Sequence, residues 1–214
     1  MPVPFSEQSQ RFYYANPYPK ISISFEVPMK AWMQDYIEKL KSLHDAIPSE
    51  EFERFVAILK QAHADDRMIF TFGNGANAAH ASHFATDMGK GASDCLDKPF
   101  RILSLNDNTS WLTAVGNDYC YEDVFVRQLK NYAKPGDVVF TMSVSGNSPN
   151  CVTAVRWAKE NGLTVLTVVG EKRGLLADLA DVAIILPDDH YGRVEDAQIA
   201  ICHMIASAFM EGVA

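Results

Sequence analysis

Two short apolar runs in this 214-residue chain each pass straight into a turn of small residues and then into a helical pattern. The first is Met68-Ile69-Phe70-Thr71-Phe72, followed by Gly73-Asn74-Gly75-Ala76-Asn77. The second is Val138-Val139-Phe140-Thr141-Met142, followed by Ser143-Val144-Ser145-Gly146-Asn147-Ser148. A strand that is apolar on both faces has to be covered on both faces, the condition of a parallel sheet flanked by helices. From Arg67 onward the alternation continues. It predicts strands over 67–72, 101–104, 137–142, 163–169 and 182–186, and helices over 76–88, 109–115, 121–132, 148–161, 174–180 and 191–211. Pro135-Gly136-Asp137 makes a tight entry to the third strand, and Asn161-Gly162 ends the helix before the fourth.

Two helices precede the sheet. Trp32, Met33, Tyr36, Ile37 and Leu40 recur at helical spacing, and Pro48-Ser49-Glu50 opens a second helix with Phe52, Phe55, Val56 and Leu59 on its apolar face. Residues 1–28 are rich in Pro, Tyr and Ser, and Asn16-Pro17-Tyr18-Pro19 forbids regular helix. They read as an extended arm with one short strand over 21–27. The organisation expected is an arm (1–28), a helical pair (29–66) and a single α/β domain (67–214) built on a doubly wound, five-stranded parallel sheet.

Composition narrows the function classes. Apolar residues make up 48% and charged residues 21%, as in an ordinary globular protein. A net charge of −8 opposes non-specific binding to nucleic acid, so an anionic ligand needs local donors rather than a global field. Cys95, Cys120, Cys151 and Cys202 form no C-x-x-C pair, and no apolar run reaches the roughly 18 residues of a membrane span. No signal peptide is evident, and reduced thiols in the cytoplasm are the expectation.

In open parallel sheets ligands bind beyond the carboxyl ends of the strands, so both small-residue turns belong to one site. Gly73-Asn74-Gly75 lets the backbone approach a ligand, yet it is neither a P-loop nor a dinucleotide fingerprint. The Ser143–Ser148 turn carries three hydroxyls, a glycine and an amide at a helix start, more donors than a cap requires, and suits a phosphate held by neutral groups and the helix dipole. His80, His83 and Asp87 fall at i, i+3 and i+7 on the following helix. Glu195 and His203 lie eight residues apart on the last helix. Two helices each offering a carboxylate and an imidazole can build a metal site or an acid–base pair. Asn117-Asp118 reads as a turn or as a sugar contact, Asp188-Asp189-His190 as a solvated loop, and Phe84, Met88, Met204 and Phe209 as core packing.

Taken together, Gly73-Asn74-Gly75, His83-Phe84-Ala85, Val115-Gly116-Asn117-Asp118, Ser143–Ser148, Glu195 and His203 resemble the sugar isomerase (SIS) domain, and within it the phosphoheptose isomerase branch. The resemblance spans roughly residues 30 to 212. It implies a flavodoxin-like sheet and an aldose–ketose isomerase of sedoheptulose 7-phosphate working through an enediolate. It also implies a homotetramer with sites between subunits, the N-terminal helices serving assembly, and often a zinc ion. Carried over by position, Ser143, Val144, Ser145 and Ser148 form the phosphate loop, and Asn74, Gly75, Ala76, Asn77, Asn117, Asp118 and Glu195 line the sugar. Asp87 becomes the base and His203 the acid, with His83, Asp87, Glu195 and His203 as zinc ligands. Asp87 stands where the family has Glu, and Glu195 where many members have Gln. Related domains also act as scaffolds for a replication initiator or as sugar-phosphate sensors in regulators, but the N-terminal segment carries no helix-turn-helix signature. A different sugar phosphate is the remaining alternative.

Overall fold

The computed structural model describes residues 28–214, so the arm and its expected strand over 21–27 lie outside the described residues. A boundary between two units of the chain falls between Asp35 and Tyr36. Helices α1 (Met29–Asp45) and α2 (Ser49–Ala64) come first. The alternating part follows as β1 (Met68–Phe72), α3 (Ala76–Thr86), β2 (Arg101–Ser104), α4 (Thr109–Asp118), α5 (Val126–Tyr132), β3 (Val138–Ser143), α6 (Pro149–Glu160), β4 (Thr164–Val169), α7 (Gly174–Leu179), β5 (Val182–Ile185) and α8 (Tyr191–Met210). All five expected strands form.

Every strand pair is parallel, in the order β2-β1-β3-β4-β5. The order reverses between β1 and β3, and their carboxyl ends open the crevice where doubly wound sheets bind ligands. Side chains alternate between the faces, as the pleat demands. Ile69, Phe140, Met142, Leu166 and Val168 face a core built with Phe55, Phe84, Ile201 and Ile205 from α2, α3 and α8. Phe70, Phe72, Val139 and Val165 face a second core with Phe125 at the N-cap of α5, Leu129 of α5 and Val155 of α6. Phe140 lies edge-on to both Phe55 and Phe84. Two buried hydroxyls stitch the central strands: Thr141 donates to the Phe72 carbonyl at 2.8 Å and Thr167 to the Thr141 carbonyl at 3.0 Å.

Four local expectations change, the first being the helix expected over 121–132, which is a 3₁₀ turn at Tyr121–Asp123 followed by α5 from Val126. The helix after β1 does not stop near residue 88, because it widens into a π-helical segment at Asp87–Ala92 and closes with a 3₁₀ turn at Ser93–Cys95. Gly89 and Gly91 suit that segment to its neighbours, since a Cβ on them would press on Ile102 and collide with the Met210 methyl group. Asn117 and Asp118 are not a turn: α4 runs through Gly116 and they form its last residues. Met204 is not core. It is exposed, whereas Phe84, Met88 and Phe209 are buried.

Candidate active site

Each crevice loop is fixed by identifiable bonds. In the β1 loop, Gly75 takes φ 60° and ψ −126°, a conformation open to glycine and not to side-chain-bearing residues. The Gly73 N–H donates to Asn106 Oδ1 at 3.1 Å, and Asn106 Nδ2 donates back to the Gly73 carbonyl at 3.0 Å. Across the switch point, Asn74 and Asn150 exchange side-chain amide bonds, both at 2.8 Å. The Tyr121 hydroxyl donates to the same Asn74 oxygen at 3.1 Å. Asn77 is buried, and its Oδ1 lies 3.2 Å from the His80 ring Nδ1.

The β3 loop is a nest of short polar bonds. Ser143 Oγ accepts the Gly146 N–H at 3.1 Å, Ser145 Oγ accepts the Asn147 N–H at 3.3 Å, and Asn147 Oδ1 accepts the Leu175 N–H at 2.9 Å. Gly146 holds φ 64°, and a Cβ there would collide with the Arg173 carbonyl oxygen. Ser148 occupies the N-cap of α6 without using its hydroxyl as a cap, and Pro149 follows at the first helical position. An uncommitted hydroxyl at a helix N-terminus is what a bound oxyanion needs. Val144, the loop residue that brings no donor side chain, is buried in the α2/α3/α8 core, and its carbonyl accepts the Gly170 N–H at 3.1 Å.

Farther along α3, the imidazoles of His83 and His203 meet with Nε2 atoms 3.0 Å apart. Asp87 Oδ2 stands 3.3 Å from the first and 3.8 Å from the second. The three donor atoms lie within 4.8 Å of one another, although the residues are up to 120 positions apart in the chain. Two imidazoles and a carboxylate converging on one point fit the donor set of a zinc site. Both histidines are about half exposed, which leaves the cluster open to a further ligand or substrate oxygen.

Glu195 lies outside this cluster. It is half-buried, and burial together with the adjacent Asp196 charge raises its carboxyl above the usual range. Asp196, seven residues before His203, is nearer to the same helical face. It accepts the Tyr36 hydroxyl at 3.0 Å. His80 is driven toward its neutral form by burial and then by the charge of His83, with Asp196 opposing that shift. The Asp188-Asp189-His190 segment is not a merely solvated loop. Asp188 clamps Arg193 through bonds of 2.5 and 2.8 Å, and His190 caps α8 by accepting the Arg193 N–H. Asn117 and Asp118 are exposed and bonded to each other at 2.9 Å. Asn106, Tyr121, Asn150 and Asp196 escaped the sequence reading because their partners lie 33 to 160 residues away, with no local spacing to reveal them.

A doubly wound α/β protein with oxyanion-ready loops at its switch point and a His/Asp cluster on the adjoining helices defines a class that also appears by comparison. A family model described as SIS domain matches residues 32–170. The phosphoheptose isomerase of Sulfurimonas denitrificans is 35% identical over 183 residues, covering 83% of this chain and 93% of the relative. That of Mycobacterium tuberculosis is 41% identical over 138 residues, covering 64% and 70%. The solved structure of phosphoheptose isomerase from Neisseria gonorrhoeae superposes with a TM-score of 0.76 at 30% identity, covering 84% of this chain and 95% of that one. The chain belongs to the SIS domain family, on its phosphoheptose isomerase branch.

Proposed function

We propose that this chain is an aldose–ketose isomerase that converts sedoheptulose 7-phosphate into an aldose heptose 7-phosphate. The observation that carries the reading is the convergence of His83, Asp87 and His203 within 4.8 Å on the helices beside two loops rich in oxyanion donors. A scaffold would have no need of that convergence.

Isomerisation moves one proton between adjacent carbons and another between their oxygens. Asp87 is the base that takes the carbon-bound proton and returns it to the neighbouring carbon. His203 moves the proton between the two oxygens, and His83 holds it in place from 3.0 Å. Ser143, Ser145, Ser148 and the N-terminus of α6 take the phosphate. The β1 loop, Asn117 and Asp118 face the sugar. His83, Asp87 and His203 are the residues that would hold zinc, and Glu195, outside that cluster, stays on the sugar side of the reading. Bound zinc supplies a Lewis acid toward the substrate oxygens.

His83 lies seven residues beyond the first residue of α3, about 10 Å along the axis at 1.5 Å per residue. That offset between the β1 loop and the acid–base cluster suits a site completed by a second copy of the chain. The exposed apolar residues Met29, Met33 and Ile37 of α1 supply a surface for such assembly, in keeping with a homotetramer. No helix among the described residues is long and apolar enough to cross a membrane. The four cysteines are free thiols, which suits the cytoplasm.

The test is turnover of sedoheptulose 7-phosphate by the purified protein, with zinc and with a chelator. Asp87→Asn and His203→Ala are each expected to lower kcat by about a hundredfold or more, the ordinary share of an acid–base group. Intact turnover in both variants would remove the assigned roles.

A further inference from the structure

Asn74 occupies the position that faces the sugar, yet its side chain is fully engaged inside the protein. Its Oδ1 accepts from Asn150 Nδ2 and from the Tyr121 hydroxyl, at 2.8 and 3.1 Å. Its Nδ2 donates to Asn150 Oδ1 at 2.8 Å and approaches Cys151 Sγ at 3.8 Å. Both lone pairs and both amide hydrogens are thereby used. Asn150 is buried in the first turn of α6, the helix whose N-terminus takes the phosphate, and Tyr121 follows α4, the helix that ends in Asn117 and Asp118. By contrast, the main-chain N–H groups of Asn74, Gly75 and Ala76 have no acceptor among the described residues. They stand at the turn where Gly75 adopts its positive φ.

We infer that Asn74 is a strut rather than a sugar ligand, and that Asn150 and Tyr121 are positioning residues acting through it. The Asn74–Asn150 amide pair locks the β1 loop to the phosphate-binding helix, so the loop presents its N–H groups to the substrate at a fixed distance from the phosphate. Sugar recognition on this side is then a main-chain property. The inference rests on the isomerase reading for the identity of the substrate, but not for the existence of the strut.

A double-mutant cycle tests it, with kcat/KM for sedoheptulose 7-phosphate and Tm measured on wild type, Asn74→Ala, Asn150→Ala and the double variant. If Asn74 works through Asn150, each single change loosens the same loop, and a misplacement on the order of 1 Å costs about a hundredfold. The expected result is a loss of about tenfold to a hundredfold in each single variant, with no larger loss in the double. Tyr121→Phe, which leaves the amide pair intact, is expected to lose less than either.

Three outcomes would overturn the inference. Asn74→Ala could fall far below Asn150→Ala with multiplicative losses, as for a direct sugar contact. Tm could fall with kcat/KM unmoved, as for a purely structural pair. Tm losses could be strictly additive, showing no coupling. A wild type that turns over no sugar phosphate would end the isomerase reading, and the strut would still be judged by non-additivity in Tm.

Discussion

Asp188 receives two hydrogen bonds from Arg193 at the entry to α8. Burial by itself would raise this carboxyl, but the hydrogen bonds from Arg193 and the His190 N–H, with the Arg193 charge, outweigh it and hold the group below the usual 3.8. A carboxyl depressed in the folded state stabilises the protein above its unfolded value and loses that contribution as pH falls through its folded value. Asp188→Asn is therefore expected to cost about 2 kcal/mol at pH 7, the range of hydrogen bonds to a charged group. The Tm curves of variant and wild type should converge as pH drops below the ordinary carboxyl range. A gap that stays constant from pH 7 to pH 3 would show the pair to be energetically silent. At this same scale the sequence was informative where residue types are rare and matched, as with His83 and Asp87 on one helix and His203 on another. It was silent on Asn106, Asn150 and Tyr121, since amides and phenols are common and their partners are remote in sequence. Nor does the place of Val144 within the polar loop reveal that its side chain packs in the core.

Elements are where the chain was most readable, for a physical reason. Strands buried on both faces have to be continuously apolar, so the five runs stand out against the helices between them. Helix ends were less readable, because glycine has two meanings. Gly116 looks like a stop, yet it sits inside α4 with nothing within 4 Å of an added Cβ. Gly116→Ala is expected to raise stability by up to about 1 kcal/mol, the helix-propensity difference. Gly146 is the opposite case. Its left-handed φ of 64° costs an alanine about 1–2 kcal/mol, and the collision with the Arg173 carbonyl adds to that. Gly146→Ala should therefore lower Tm and weaken the phosphate loop, and paired thermal melts would check both glycines at once. A stabilised Gly146→Ala would mean that the loop is not held as described. The π-helical segment at Asp87–Ala92 had no sequence signature beyond its two glycines, for it is tertiary fit to Ile102 and Met210 that makes the wide turn workable.

Across the whole molecule, the apolar stripe of α1 that predicted a helix is not spent on the core. Leu43 is its one buried residue among those described, while Met29, Met33 and Ile37 are exposed. The assembly proposed above would cover this apolar surface. Met33→Glu combined with Ile37→Glu is expected to shift sedimentation toward smaller species while preserving the α/β fold by circular dichroism. Unchanged sedimentation would detach α1 from assembly. In the function proposed above, the crevice loops and the His83–Asp87–His203 cluster together move protons on a seven-carbon sugar phosphate. That function is tested most directly by incubating wild-type protein with sedoheptulose 7-phosphate in deuterium oxide and following the mixture by NMR. The expected product is an aldose heptose 7-phosphate, carrying deuterium at carbon 2 where the proton held on Asp87 exchanges with solvent, and lost when Asp87 is replaced by Asn. Absence of any aldose, with zinc present and the protein folded, would contradict the proposed function.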